Sequence, residues 1–127
     1  RARGPKPGDV FLLNSPWAGG SHLPDLTMIE AIALDGAIVG YAVVRAHHAD
    51  VGGMSPGSMP QGATELVQEG LILPPMRLLR EGVQDDELLD LVLANVRTPD
   101  ERRGDLAAQR ASCAAGANGW RALIAKH

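Results

Sequence analysis

The chain has 127 residues, of which 45% are hydrophobic, 21% charged and 3% aromatic, which predicts one soluble globular domain with an aliphatic core. The net charge of −3, with no basic run at either end, argues against a nucleic-acid or anionic-membrane partner. The apolar stretch at residues 31–46 is interrupted by Asp35 and Arg45 and is shorter than the ~20 residues of a membrane span.

The first 82 residues hold most of the 15 Gly and 9 Pro, and this half is predicted to be strand and loop. Residues 9–14 form a short apolar run between turn residues, which is typical of a buried strand. Residues 27–34 and 37–48 are two β-type runs separated by Asp35-Gly36. Since Asp-Gly favours the positive φ angles of a type I′ turn, we expect an antiparallel hairpin.

The segment after the hairpin is rich in breakers. Residues 51–62 contain Gly, Pro and Ser at a density that predicts a long loop. Apolar and polar residues alternate over 63–73 in a pattern that predicts one or two short strands. A helical turn over residues 64–68 is the alternative.

Two helices are predicted in residues 83–127. Apolar residues recur at three- and four-residue spacing over 85–97, with acidic residues in the first turn. Thr98-Pro99-Asp100-Glu101 has the pattern of a capping box, so a second helix should begin there and run to about Lys126. Its apolar stripe is predicted to comprise Leu106, Arg110, Cys113, Ala117, Trp120 and Ile124. The predicted fold class is α+β, with a mostly antiparallel sheet in the first ~80 residues followed by two α-helices.

Histidine and aspartate cluster at two strand ends. His22 and Asp25 close the loop after the first strand, and His47, His48 and Asp50 close the hairpin. If the first strand neighbours the hairpin, both groups reach one end of the sheet. Two His and one carboxylate suit Mn, Fe or Zn and leave positions open for water and substrate. The alternative is that these are polar loop residues hydrogen-bonded to backbone.

Strand alternation limits the choice among these residues, because His47 and His48 should point to opposite faces of a regular strand. Only one of them is then expected to bind the metal directly. The other, or Asp50, is a candidate for the residue that fixes the tautomer of the ligand histidine, or for a general base. Arg45 is a candidate for binding a substrate carboxylate. No nucleotide-binding fingerprint is present, so no cofactor-binding residue is assigned.

Five runs of residues are distinctive, namely KPGDVF (6–11), NSPWAGGSHLPD (14–25), RAHHADVGGMSPGSMP (45–60), QEG (68–70) and ANVRTPDERRGDL (94–106). These runs resemble the hydantoinase B/oxoprolinase family, which includes N-methylhydantoinase B subunits, ATP-dependent 5-oxoprolinase and the related large subunit of acetone carboxylases. The most specific run is residues 45–60, and residue 15 departs from the family, which often has Asp where this chain has Ser15.

The resemblance implies a metal held by His22, Asp25 and His47, with His48 and Asp50 as near alternatives. It further implies that residues 1–127 form a single domain, an internal piece of a catalytic subunit, and that this piece is inactive in isolation. An ATP-using partner of the hydantoinase A type would activate a cyclic amide substrate in a hetero-oligomer, and ATP would not bind here; the piece alone could also form a homo-oligomer.

Two alternatives remain open: a carboxylase subunit of the acetone carboxylase type, and a non-catalytic module at a subunit interface. The lone Cys113 cannot form an internal disulfide, which together with the missing secretion signal predicts a cytoplasmic protein.

Overall fold

A computed structural model describes residues 4–126, in which five strands form one antiparallel sheet and two helices follow. The strand order across the sheet is β3-β2-β1-β4-β5, so the first strand does neighbour the hairpin. The α+β prediction is confirmed. The elements are β1 (Val10–Leu13), β2 (Asp25–Leu34), β3 (Ala37–His47), β4 (Met76–Arg80), β5 (Val83–Gln84), α1 (Asp86–Ala94) and α2 (Pro99–Ile124).

The hairpin of β2 and β3 is the longest part of the sheet. Asp35 and Gly36 have φ angles of 49° and 81°, as the Asp-Gly turn predicts. The register places Leu34 opposite Ala37 at the turn and Asp25 opposite His47 at the far end. The predicted hairpin is therefore confirmed, and its open end carries the polar residues of interest.

One face of the sheet is covered by α2, and the other face is open to solvent along β3. Side chains at alternate positions, such as Leu12 and Met28, pack beneath α2 in the buried core together with Leu106 and Cys113. On the other face, Tyr41 is 53% exposed and the Val43 beside it is 59% exposed. The polar residues at the open end of the hairpin that belong to this second face are thus reachable from solvent.

The segment between the hairpin and the first helix differs in part from expectation. Residues 63–73 form no strand; Leu66–Gln68 is a 3-10 turn, so the alternative prediction of a helical turn is confirmed. The strands β4 and β5 were not predicted as separate elements, and β5 lies just beyond residue 82. Both are short, and they join the sheet through the pairing of β4 with β1.

Both predicted helices are present, but their details differ. The N-cap of α1 is Asp85, whose carboxylate accepts a hydrogen bond from the Leu88 N–H. The capping-box prediction for α2 is wrong, since the Thr98 side chain makes no cap hydrogen bond. The buried stripe of α2 includes Arg102 and Gln109, whereas Arg110 is exposed. No helix within residues 4–126 combines the length and hydropathy that a membrane span requires.

Candidate metal centre

Three side chains converge at the open end of the hairpin. His22 Nδ1 lies 2.9 Å from Asp25 Oδ2, and His47 Nδ1 lies 3.1 Å from Asp25 Oδ1. The rings of His22 and His47 are stacked, with centroids 5.2 Å apart. One ligand atom from each of the three residues lies within 4.8 Å of the others, and within the described part of the chain no second group of three such residues does this.

The sheet itself sets the separation of Asp25 and His47. Asp25 is the first residue of β2, His47 is the last residue of β3, and the two are direct register partners. Side chains of directly paired residues emerge on the same face of an antiparallel sheet. This pair therefore belongs to the open face, away from α2.

The loop between β1 and β2 supplies His22, and a buried side chain anchors this loop. Asn14 is fully buried and its Nδ2 donates hydrogen bonds to the carbonyls of Leu23 and Leu71. A Cβ at Gly20 would collide with the carbonyl of Asn14, so only glycine allows the chain to turn back so closely. The imidazole of His22 is consequently held over Asp25 by backbone geometry.

Asp25 is ionised at neutral pH. Partial burial raises the pKa of its carboxyl, but hydrogen bonds from His47 and Ser21 and the charges of the two imidazoles outweigh it, so the pKa lies below the ordinary 3.8. The Ser21 hydroxyl donates to Asp25 Oδ2 at 3.1 Å. The side chains of His22, Asp25 and His47 are 38%, 21% and 59% exposed, so a small ion or molecule can reach them.

Arg45 lies two residues before His47 on the same face of β3. Its Nε donates to the Thr27 hydroxyl at 2.9 Å, and its Nη2 donates to the Gly19 carbonyl at 2.8 Å. Arg45 thus ties the His22 loop to the sheet and presents a fixed positive charge beside the three-residue group.

His48 points the other way, as strand alternation predicts. The residue is only 1% exposed, and its Nε2 lies 2.7 Å from Gln109 Oε1 in α2. Burial lowers the pKa of its imidazole more than the Gln109 hydrogen bond and Asp105 raise it. The structure does not bring His48 to the group of His22, Asp25 and His47.

Asp50 organises the loop that follows β3. Its two carboxylate oxygens accept hydrogen bonds from the backbone N–H groups of Gly52, Gly57 and Arg97, and from the Arg97 guanidinium. Burial raises the pKa of this carboxyl, but the hydrogen bonds lower it by more than burial raises it, so the pKa lies below its ordinary value. Asp50 therefore faces the loop and the junction of α1 and α2, and is not brought to the three-residue group.

The three converging residues fit a divalent metal. Two imidazoles and one ionised carboxylate form a donor set that suits Mn, Fe or Zn. Sequence reasoning missed the polar residues that support this group, among them Thr27 and Gln109. Gln109 had a detectable signal, because it lies three residues from Leu106 and four from Cys113 on the stripe predicted to be apolar.

Comparison with known proteins finds relatives along most of the chain. A family model described as hydantoinase B/oxoprolinase matches residues 2–127. The 5-oxoprolinase of Dictyostelium discoideum is 38% identical over 107 residues, which cover 84% of this chain and 8% of that protein. The caprolactamase subunit beta of Pseudomonas jessenii is 35% identical over 109 residues, which cover 86% of this chain and 19% of that protein.

Two solved structures share the fold. The crystal structure of the ATP-dependent caprolactamase from Pseudomonas jessenii matches with a TM-score of 0.88 and 33% identity, over 94% of this chain and 21% of that one. A nucleotide-free acetone carboxylase also matches with a TM-score of 0.88, at 22% identity over 94% of this chain and 16% of that one. The chain thus spans about a fifth or less of the length of these proteins.

Proposed function

The chain belongs to the hydantoinase B/oxoprolinase family, and from this premise we propose that it is part of the catalytic B-type subunit of an ATP-dependent cyclic amide hydrolase. The relatives named 5-oxoprolinase and ATP-dependent caprolactamase support this reaction class. In the proposed reaction, water contributes its oxygen to a new carboxylate, the ring C–N bond breaks, and the ring nitrogen gains a proton. A hydantoinase A-type partner would first transfer a phosphate from ATP to the hydantoin- or 5-oxoproline-like substrate, and a second water would release that group as inorganic phosphate.

The observation that carries the proposal is the convergence of His22, Asp25 and His47 on the open face. Each histidine would give one imidazole nitrogen, and Asp25 would give a carboxylate oxygen. A divalent cation so held supplies Lewis-acid polarisation and makes a water more acidic. Because Asp25 is already ionised at neutral pH, no proton needs to leave the carboxyl before it can serve as a ligand.

Arg45 has the proposed role of orienting the substrate. A guanidinium can bind a carboxylate or phosphate with two parallel hydrogen bonds. Thr27 and Gly19 hold it in place beside His47. A substrate anion bound there would lie on the same sheet face as the metal ligands.

His48 and Asp50 have supporting roles in this proposal, in place of the catalytic roles expected from the sequence. The contacts of His48 are with α2 and those of Asp50 are with the glycine-rich loop and Arg97. Neither side chain has a free path to a substrate on the open face in this arrangement. The buried, unpaired Cys113 is compatible with the cytoplasmic location that we also propose.

Metal content tests the proposal directly. We expect the purified chain to bind one equivalent of Zn²⁺, Mn²⁺ or Fe²⁺, and the His22→Ala variant to bind none. Glu81→Gln is the matched control, because Glu81 is an exposed carboxylate in the turn between β4 and β5 and pairs with Lys6. Equal metal content in wild type and His22→Ala, or none in either after supplementation, would overturn a site made by this chain.

A second experiment separates catalysis from a role as an interface module. In the complete complex with the ATP-using partner, His22→Ala should abolish substrate turnover while assembly, measured by light scattering, is preserved. Preserved turnover with lost assembly would favour the interface module. Incorporation of labelled carbon dioxide in place of hydrolysis would assign the chain to the carboxylase alternative.

A further inference from the structure

A buried amide on α2 reaches the end of the hairpin from behind. Gln109 is 4% exposed and lies between Leu106 and Cys113 on the stripe that packs under the sheet. Burying an amide costs free energy unless its polar atoms are hydrogen-bonded. Gln109 meets this requirement with two hydrogen bonds, and both go to the end of the hairpin.

These two hydrogen bonds end on the residues that directly follow two of the three proposed ligands. Gln109 Nε2 donates to the carbonyl oxygen of Leu26 at 3.0 Å, and Gln109 Oε1 lies 2.7 Å from His48 Nε2. Leu26 follows Asp25, and His48 follows His47. One side chain therefore bridges β2 to the residue after β3, beside the rung that carries the metal ligands.

The pair of hydrogen bonds also fixes the direction of each donor. A carbonyl oxygen only accepts, so the nitrogen of the Gln109 amide must face Leu26 and its oxygen must face His48. His48 then donates from Nε2–H, which sets its tautomer and ring orientation. Its backbone N–H is held as well, since it donates to the Pro24 carbonyl at 2.8 Å.

The rung of Asp25 and His47 needs such support because it is the last one of the ladder. β2 begins at Asp25 and β3 ends at His47, and strand ends have the fewest neighbours to hold them. We propose that Gln109 is a positioning residue, which holds Asp25 and His47 at the separation that metal binding requires. This inference rests on the proposed function, because it presupposes the metal.

The test compares Co²⁺ binding by the 127-residue chain and three variants. Gln109→Met keeps the length of the side chain and loses both hydrogen bonds, whereas Gln109→Glu keeps an acceptor for His48 and loses the donor to Leu26. Cys113→Ala is the matched control, since Cys113 is fully buried one turn along α2 and contacts the carbonyls of Met28 and Ala42 instead. The readouts are Co²⁺ affinity, the shape of its visible absorption, and the free energy of unfolding of the metal-free protein.

We expect Gln109→Met to weaken Co²⁺ binding by about 10- to 100-fold, the usual cost of removing a residue that orients ligands. The Co²⁺ affinity of Gln109→Glu should lie between those of Gln109→Met and wild type. Both should alter the absorption spectrum, while Cys113→Ala should lower stability with the wild-type spectrum and affinity. A wild-type spectrum and affinity in folded Gln109→Met or Gln109→Glu would overturn the positioning role.

Two further measurements separate the possible failures. If wild type binds no Co²⁺, the proposed function itself fails; if wild type binds it and His22→Ala does not, the metal site stands whatever the Gln109 variants show. Should the Gln109 variants fail to fold, the ¹⁵N spectrum of wild-type His48 decides. A proton on Nε2, with and without metal, supports the arrangement, and a proton on Nδ1 overturns it.

Discussion

The two ends of β1 each lie near an acidic side chain, and the two are used differently. At one end, the Asp9 side chain is 2% exposed and accepts hydrogen bonds from Arg77 Nε at 2.9 Å and from the N–H groups of Lys6 and Glu81. At the other end, Asp25 is 21% exposed, and its neighbours are His22, His47 and Ser21. The pKa of both carboxyls lies below the ordinary value, although burial alone would raise it.

The difference lies in the donors. The donors to Asp9 are the Arg77 guanidinium and two backbone N–H groups, and none of these groups can bind a metal. The partners of Asp25 are two imidazoles, and an imidazole nitrogen can also bind a metal. We therefore expect Asp9, among fixed donors, to stabilise the fold, and Asp25, among imidazoles, to contribute to metal binding. Four predictions test this contrast, beginning with the largest expected effect.

Asp25→Asn should weaken Zn²⁺ or Co²⁺ binding by more than about 100-fold, because it removes a charged ligand and not merely a group that orients one. The unfolding free energy of the metal-free protein should change by less than about 1 kcal/mol, since the ion pairs lost are with exposed histidines. Calorimetric titration and urea unfolding measure the two quantities. Unchanged metal affinity would contradict the contrast.

Asp9→Asn should show the opposite behaviour. It should destabilise the protein by about 2 kcal/mol, because it weakens buried hydrogen bonds to a charged donor and leaves Arg77 without its carboxylate. Metal affinity should stay within about twofold of wild type, since distant sites usually contribute independently. Loss of metal binding in Asp9→Asn would show that the two ends of β1 are coupled.

The pH dependence of unfolding should reveal the same carboxyl. The pKa of Asp9 is lower in the folded than in the unfolded protein. Its ionised carboxylate therefore contributes to the free energy of unfolding above about pH 3.8, and this contribution is lost as the pH falls through the folded-state pKa. The difference in unfolding free energy between wild type and Asp9→Asn should therefore be full near pH 6 and shrink below pH 3.8. A difference that stays constant down to pH 2 would exclude Asp9 ionisation as its source.

Lys6→Ala should have the smallest effect. The Lys6–Glu81 ion pair measures 2.8 Å, but its side chains are 52% and 62% exposed. Exposed pairs contribute little, so the loss should be under about 0.5 kcal/mol, and the Lys6 backbone N–H still reaches Asp9. A loss of unfolding free energy as large as that of Asp9→Asn would mean that the exposed Lys6–Glu81 ion pair, and not the buried Asp9 carboxylate, stabilises this end of β1. Chemical denaturation of both variants in one buffer makes the comparison.

Much of the candidate site was predictable because short-range patterns encode it. Asp-Gly between two apolar runs predicts the hairpin, and the hairpin leads the chain to His47 at its open end. Alternation along β3 separates His47 from His48. The two short strands β4 and β5 were not predictable in the same way, since β4 depends on pairing with β1, which is distant in sequence, and β5 joins the sheet only through β4.

The supporting residues were less predictable still. Asp50 has the same sequence signature as a metal ligand, namely a carboxylate close to histidines, but it is surrounded by Gly52, Gly57 and Arg97. Thr98 occupies the N-cap position of α2, as its sequence signature predicts, but its side chain makes no cap hydrogen bond. In each case the side chain had more than one possible partner, and packing decided between them.

The sequence by itself determined the turn at Asp35-Gly36, the alternation along β3, and the spacing of His22 and Asp25, because these depend on backbone angles and periodicities within a few residues. Only the tertiary structure decided which polar side chains face the open sheet and which are buried as supports. His48 and Gln109 are 61 residues apart and meet at 2.7 Å because α2 packs across the hairpin. The physical reason is that a buried polar group must find a hydrogen-bond partner, and packing between distant segments provides it.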